Sequence, residues 1–383
     1  MTTLVTHAVA LDATGDSLGA WLLLDDDTIV ATGTGRAPAD EVETAEEIVD
    51  VGGAVVTPGL IDLHGHGGGG HSFDGSADEI REALAFHRAH GTTRSVVSLV
   101  AGPLNRLGAS LEQIRRVADR DPLVLGAHLE GPFLSPDNRG AHDPHFLAAP
   151  TPENVEALIE AGTGILRVVT LAPELPGALE AVERFVAAGV TVAVGHTVAT
   201  AEDAALAFDR GATLLTHAFN AMPGIHHRAP GPVVAAVEDR RVTLELILDG
   251  VHVHPSVAAL LMREAPDRVA LITDAMAAAG AADGDYVLGS LDVRVDGGVA
   301  RLRGSDTIAG STLTQDAALR FAIDRAGISP RDAVAALTRT PAIALGLGDR
   351  LGLLAPGHAA DLVVWNDDWT VRSVWGAGRR LAV

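Results

Sequence analysis

Histidines and carboxylates close a series of short apolar runs: His64-Gly65-His66, His128-Leu129-Glu130, Gly195-His196-Thr197 and Thr216-His217, then Thr273-Asp274-Ala275. Neutral imidazole nitrogens and carboxylate oxygens are the donors that a divalent transition metal takes up. Residues two apart on a strand project from the same face, which pairs His64 with His66 and His128 with Glu130. The spacing predicts His64, His66, Glu130 and Asp274 at one cation position, with Glu130, His196 and His217 at another. Glu130 would then be shared. A single ion at the second position would leave Asp274 free to shuttle protons. Any one of these histidines is equally well read as a hydrogen-bonded core residue. Four of them at successive strand ends, with two carboxylates, point instead to metal-dependent hydrolysis. The donor set suits one or two ions per subunit, zinc first, with iron, manganese or cobalt as alternatives.

Something must carry those residues to one rim. Eight near-continuous apolar segments do so: Val55–His66, Thr93–Val100, Leu123–Gly131, Ile165–Pro173, Thr191–Thr197, Thr213–Asn220, Thr243–His252 and Val269–Asp274. Runs of this kind suit a parallel sheet buried on both faces. Helical patterns alternate with them, over 201–210, 255–264, 314–326 and 330–345 among others. Helix starts are read at Thr151-Pro152 and at two capping boxes, Ser76 with Glu79 and Ser110 with Gln113. Eight strand–helix alternations predict an α/β fold of the (β/α)8 TIM-barrel type, whose chemistry gathers at the C-terminal strand ends. An open doubly wound sheet competes, but no G-x-G-x-x-G opens a helix after a strand. Residues 1–54 and 355–383 read as short strands forming one small β-sandwich domain, leaving 55–354 as the barrel. Within it, 285–304 reads as a hairpin insertion turning at Asp296-Gly297-Gly298.

Composition narrows the function. The 383-residue chain has no cysteine, so disulfides, thiolate nucleophiles and cysteine-ligated zinc are excluded. It also has no lysine, which removes Schiff-base chemistry and a carboxylated-lysine metal bridge. A net charge of −22 disfavours nucleic acid. No apolar run is long enough for a membrane span, and no export signal is read at the start, so the cytoplasm is the expected compartment.

The run Pro58-Gly59-Leu60-Ile61-Asp62-Leu63-His64-Gly65-His66-Gly67-Gly68 resembles the opening motif of the amidohydrolase superfamily. The stretch Gly357-His358-Ala359-Ala360-Asp361-Leu362 resembles its return to a small β domain. More specific are His128-Leu129-Glu130-Gly131-Pro132-Phe133 and Thr216-His217-Ala218-Phe219-Asn220-Ala221-Met222-Pro223. With Asp249-Gly250-Val251-His252 and Ala309-Gly310-Ser311, they resemble the superfamily's amino-sugar-phosphate deacetylases. That resemblance implies a small-molecule sugar-phosphate substrate and a homodimer. It also implies Asp274 as general base and acid, and a metal held by Glu130, His196 and His217. His64 and His66 complete a second metal position that some members lack. His142 is implied to contact substrate, Asn220 and Ala221 to hold the phosphate partly by main chain, and Arg228 and His252 to be its cationic contacts, one or both from a neighbouring subunit. Ile225-His226-His227 before Arg228 departs from the pattern. Another hydrolase of cyclic amides or nucleobases is the competing enzyme reading, and a sugar-phosphate sensor the non-enzymatic one. The missing lysine argues against the branches that bridge two metals through it.

Overall fold

The computed structural model describes residues 1–382. All eight predicted segments contain a strand of one sheet, ordered along the chain: Leu60–Asp62, Thr92–Val100, Val124–Glu130, Leu166–Leu171, Thr191–Val194, Leu214–Leu215, Thr243–Ile247 and Val269–Ile272. Pairing is parallel from Thr92–Val100 onward. Past the last strand, Asp274 N–H donates to the His64 carbonyl at 2.8 Å and His66 N–H to that of Ala275 at 2.7 Å. These bonds join the continuations of the first and last strands, and the result is a TIM-type (β/α)8 barrel.

Several strands stop short of the predicted segments, for a common reason. His196, His217 and Asp274 have φ of 49°, 26° and 48°, a left-handed conformation that cannot extend a ladder. Each ends up just beyond its strand, on the rim. The run Val55–His66, read as one strand, is two. Val55–Pro58 pairs with Leu362–Trp365 in another sheet, and Leu60–Asp62 enters the barrel. Gly59 is the break: a β-carbon there would lie 2.2 Å from the Thr93 hydroxyl.

By compactness the chain resolves into two units, residues 1–62 with 87–94 and 315–383, and residues 63–86 with 95–314. In the first, both chain ends meet in a mixed eight-stranded sheet. Side chains alternate across its Gly15–Asp25 strand: Leu22 and Leu24 pack in one apolar cluster, Trp21 and Leu23 in another. That is the period-two pattern of a strand covered on both faces. In the second, the insertion is three-stranded, Gly284–Leu288, Leu291–Asp296 and Val299–Leu302, with Gly297-Gly298 as the second turn.

Helix starts follow the sequence unevenly. Ser76 and Glu79 bond reciprocally at 2.7 and 3.3 Å, and the Thr151 hydroxyl accepts from Asn154 N–H at 3.3 Å. The Ser110–Gln113 capping box does not form. Leu107, Leu111, Ile114 and Val117 bury one stripe of a helix that already starts at Leu104, so Ser110 lies inside it. Residues 330–345 are two helices, Pro330–Leu337 and Arg339–Ala344, broken at Thr338. No helix among the described residues is long and apolar enough to cross a membrane.

Candidate metal centre and active site

Glu130 ends its strand with both carboxylate oxygens engaged. Oε1 lies 3.0 Å from His196 Nε2, 3.1 Å from His217 Nε2 and 3.4 Å from His64 Nε2. Oε2 lies 3.1 Å from His66 Nε2 and 3.4 Å from His142 Nε2. Asp274 Oδ1 lies 3.5 Å from His64 Nε2 and 3.3 Å from His66 Nε2. His64, His66, Glu130, His196, His217 and Asp274 are all buried.

Hydrogen bonds on the far side of the rings decide which nitrogens can bind a cation. A carbonyl only accepts, so His196 Nδ1, 3.1 Å from the Asn138 carbonyl, must carry the proton and leave a lone pair on Nε2. His64 Nδ1 faces the Glu245 carboxylate at 3.2 Å, which leaves Nε2 as the nitrogen for a cation, although, against burial, Glu130 and Asp274 raise that ring well above the ordinary imidazole range. His142 is opposite. Its Nδ1 accepts from Ala101 N–H at 3.1 Å, so the neutral ring carries its proton on Nε2, a donor aimed at the cluster. Nε2 atoms of His196 and His217 are 3.0 Å apart, and those of His64 and His66 are 3.2 Å apart. Donor lone pairs converging on carboxylates at such distances are what a divalent cation satisfies. Two sets meet this test, His64/His66/Glu130/Asp274 and Glu130/His196/His217.

Electrostatics agree. Burial opposes ionisation of Glu130, yet His64, His142 and His196 hold its carboxyl well below the usual range. Burial likewise works against Asp274, but His64 and His66 bring it down to about 2. His196 is pushed down to about 4, by burial first and then by His142, and is therefore a neutral donor. Burial lowers His66, but Asp274 and Glu130 outweigh it and raise the ring to about 9. Protons there do the charge balancing that a cation would do, so metal uptake releases them.

His66, Glu130, His196, His217 and Asp274 open onto a cavity of about 500 Å³ that His142, Asn220, Ala221 and His252 also line; His64 is fully buried and outside the lining. His252 Nδ1 sits 2.7 Å from Asp249 Oδ2. Burial would lower the His252 ring, but Asp249 prevails and raises it. Arg228 is not in the lining. It lies exposed, beside His227 Nε2 at 2.7 Å. His128 shares Glu130's spacing but sits deeper, its two nitrogens 3.0 Å from the Ser98 hydroxyl and 2.8 Å from that of Thr170. The sequence reading passed over Arg139, the only arginine of the lining, and Glu245. The signal for Glu245 was a lone carboxylate inside an apolar strand; for Arg139 it was its place three residues before His142.

The amidohydrolase family profile matches residues 55–381. An Escherichia coli O157:H7 protein named N-acetylgalactosamine-6-phosphate deacetylase is 40% identical over 85% of this chain and 87% of its own length. The Bos taurus N-acetylglucosamine-6-phosphate deacetylase is 35% identical over 88% and 86%. A Mycobacterium smegmatis N-acetyl-D-glucosamine-6-phosphate deacetylase variant, solved with N-acetyl-D-glucosamine-6-phosphate, superposes with a TM-score of 0.93 at 44% identity over the whole of both chains. With this likeness along nearly its full length, the chain belongs to the amidohydrolase family and groups with its amino-sugar-phosphate deacetylases.

Proposed function

We propose that this protein hydrolyses the acetamide of N-acetyl-D-glucosamine 6-phosphate, giving D-glucosamine 6-phosphate and acetate in amino-sugar catabolism. The observation that carries this is the convergence of His196, His217 and the shared Glu130 within 3.1 Å, with Asp274 at the same cavity. Glu130, His196 and His217 would hold a divalent cation, zinc the first choice, which when bound would lower the pKa of water from about 15.7 towards about 7 and polarise the amide carbonyl.

The protein's own groups do the rest. Asp274, ionised and within 3.5 Å of both His64 and His66, accepts the proton of the attacking water. It returns that proton to the departing nitrogen, since an amine is a poor leaving group until protonated. The Nε2–H of His142 donates to the oxygen that gains charge as the carbonyl becomes tetrahedral. The His252 ring and the main chain at Asn220 and Ala221 hold the phosphate, the Asn220 side-chain amide being taken up by the His217 and Ala218 carbonyls at 3.2 and 3.3 Å. Arg139 supplies the permanent cation of the lining. Remote binding of this kind orients the reacting amide. Arg228, exposed and outside the lining, fits a contact offered to a second subunit of a homodimer. A charged sugar phosphate does not cross a bilayer unaided, which favours the cytoplasm.

The 40% identity to the Escherichia coli protein named for the galactosamine compound favours testing the C4 epimer as a second substrate. The deciding experiment is amine release from N-acetylglucosamine 6-phosphate after chelation and metal add-back. Activity should vanish with the metal and return with zinc, iron, manganese or cobalt. Metal-loaded protein that releases no amine from either epimer would overturn the proposal.

A further inference from the structure

One carboxylate at the barrel interior has no role in the chemistry above. Glu245 interrupts the apolar Thr243–Ile247 strand and is 1% exposed. Its Oε2 lies 3.2 Å from His64 Nδ1, and Oε1 has no hydrogen-bond partner among the described residues. A buried carboxylate is retained at a cost unless something nearby uses its charge.

His64 is what it serves. Facing an acceptor, Nδ1 must donate, which leaves Nε2 as the nitrogen that can take a cation at the point shared with His66, Glu130 and Asp274. The other ligand rings lack such backing. His196 leans on a neutral carbonyl, and the Nδ1 atoms of His66 and His217 have no hydrogen-bond partner among the described residues. The two cation positions therefore differ. The Glu130/His196/His217 set has one carboxylate, whereas the set built on His64 and His66 has Glu130 and Asp274 directly and Glu245 one ring away. A carboxylate behind a ligating imidazole fixes its orientation and raises its basicity.

We propose that Glu245 is a positioning residue that acts through His64 to make the His64/His66/Asp274 position bind tightly, so that each subunit holds two cations. This rests on the metal reading given above. The test is zinc titration against a competing chelator, which reads metal affinity without turnover. Wild-type protein should take two zinc ions per subunit. In Glu245→Gln, which keeps shape and removes charge, one of the two affinities should fall about 10–100-fold and the other stay within about twofold. In a His64→Asn background, adding Glu245→Gln should change zinc affinity no further. Glu245→Leu, compared by melting of the metal-free proteins, shows whether the strand tolerates loss of the carboxylate. Unchanged zinc affinity in Glu245→Gln, a single ion in wild type, or an undiminished effect of Glu245→Gln without His64 would each overturn the proposal. Failure of the deacetylase reading is scored separately, by amine release from metal-loaded wild type.

Discussion

The terminal sheet and the rim of the barrel treat the same chain in opposite ways. In the terminal sheet the period-two pattern and the final structure agree, and its positive-φ residues His7, Asp26, Trp369 and Ala377 sit at a bulge and at turns. Alternating side chains fill two apolar clusters, and a buried group such as Trp365 Nε1 finds the Thr57 hydroxyl at 2.9 Å, although the Thr3 hydroxyl has no hydrogen-bond partner among the described residues. At the rim local preference and final structure conflict. Of the ten non-glycine residues with positive φ among the described residues, His196, His217, Phe219, Ala221 and Asp274 lie on its loops. Imidazole nitrogens there face one another at 3.0–3.2 Å. Strain and unpaired donors persist only where the surroundings hold them, and that pattern marks function. One region is built to be stable; the other spends stability on geometry.

Substitutions can break or sharpen that contrast. The largest effect on rate should come from Asp274→Asn, with turnover down by about 10²–10⁴-fold while the metal at the Glu130/His196/His217 position, measured by elemental analysis, is retained. His142→Ala should cost about 10²–10³-fold in kcat, since it removes one donor to the oxyanion. Trp365→Ala belongs to the other region: it should lower unfolding free energy by about 3–5 kcal/mol in denaturant titrations yet leave kcat of the folded enzyme unaltered. A large fall in kcat there would erase the distinction. His252→Gln should raise KM for the phosphorylated sugar about tenfold, one charge-assisted contact's worth. Asp249 keeps His252 cationic to higher pH than an ordinary imidazole. Wild-type KM should therefore climb as pH rises through that elevated pKa, and the variant should lose the climb. The smallest effect is at the surface, where Arg116→Gln removes an exposed pair with Glu112 and should shift stability by less than about 0.5 kcal/mol.

The barrel and its donor set were legible because both depend on repetition. Eight apolar runs fix a parallel sheet, and donors at the ends of those runs must meet on one rim. What escaped depended on single positions. Nothing in Val55–His66 marks where one strand becomes two except Gly59, whose need for space is set by Thr93, 34 positions away. Ser110 with Gln113 has the letters of a cap, but the apolar stripe around it already carries the helix through. Glu245 reads as an isolated acid until its distance to His64 is known. Arg228 reads as a phosphate contact of its own or a neighbouring subunit, and only its absence from its own chain's lining, on an exposed loop, separates the two.

The segment from Ser135 to His142 has a consequence for anyone redesigning what this protein accepts. The Asn138 carbonyl holds the His196 ring, the Asn138 amide donates to the Thr197 carbonyl at 2.6 Å, and Arg139 and His142 face the cavity from the same stretch. Cavity lining and the alignment of His196 thus share one short piece of backbone. Exchanging it for a foreign loop to alter selectivity would also unfasten a metal-facing ring, so such grafts should carry the asparagine and its backbone path with them.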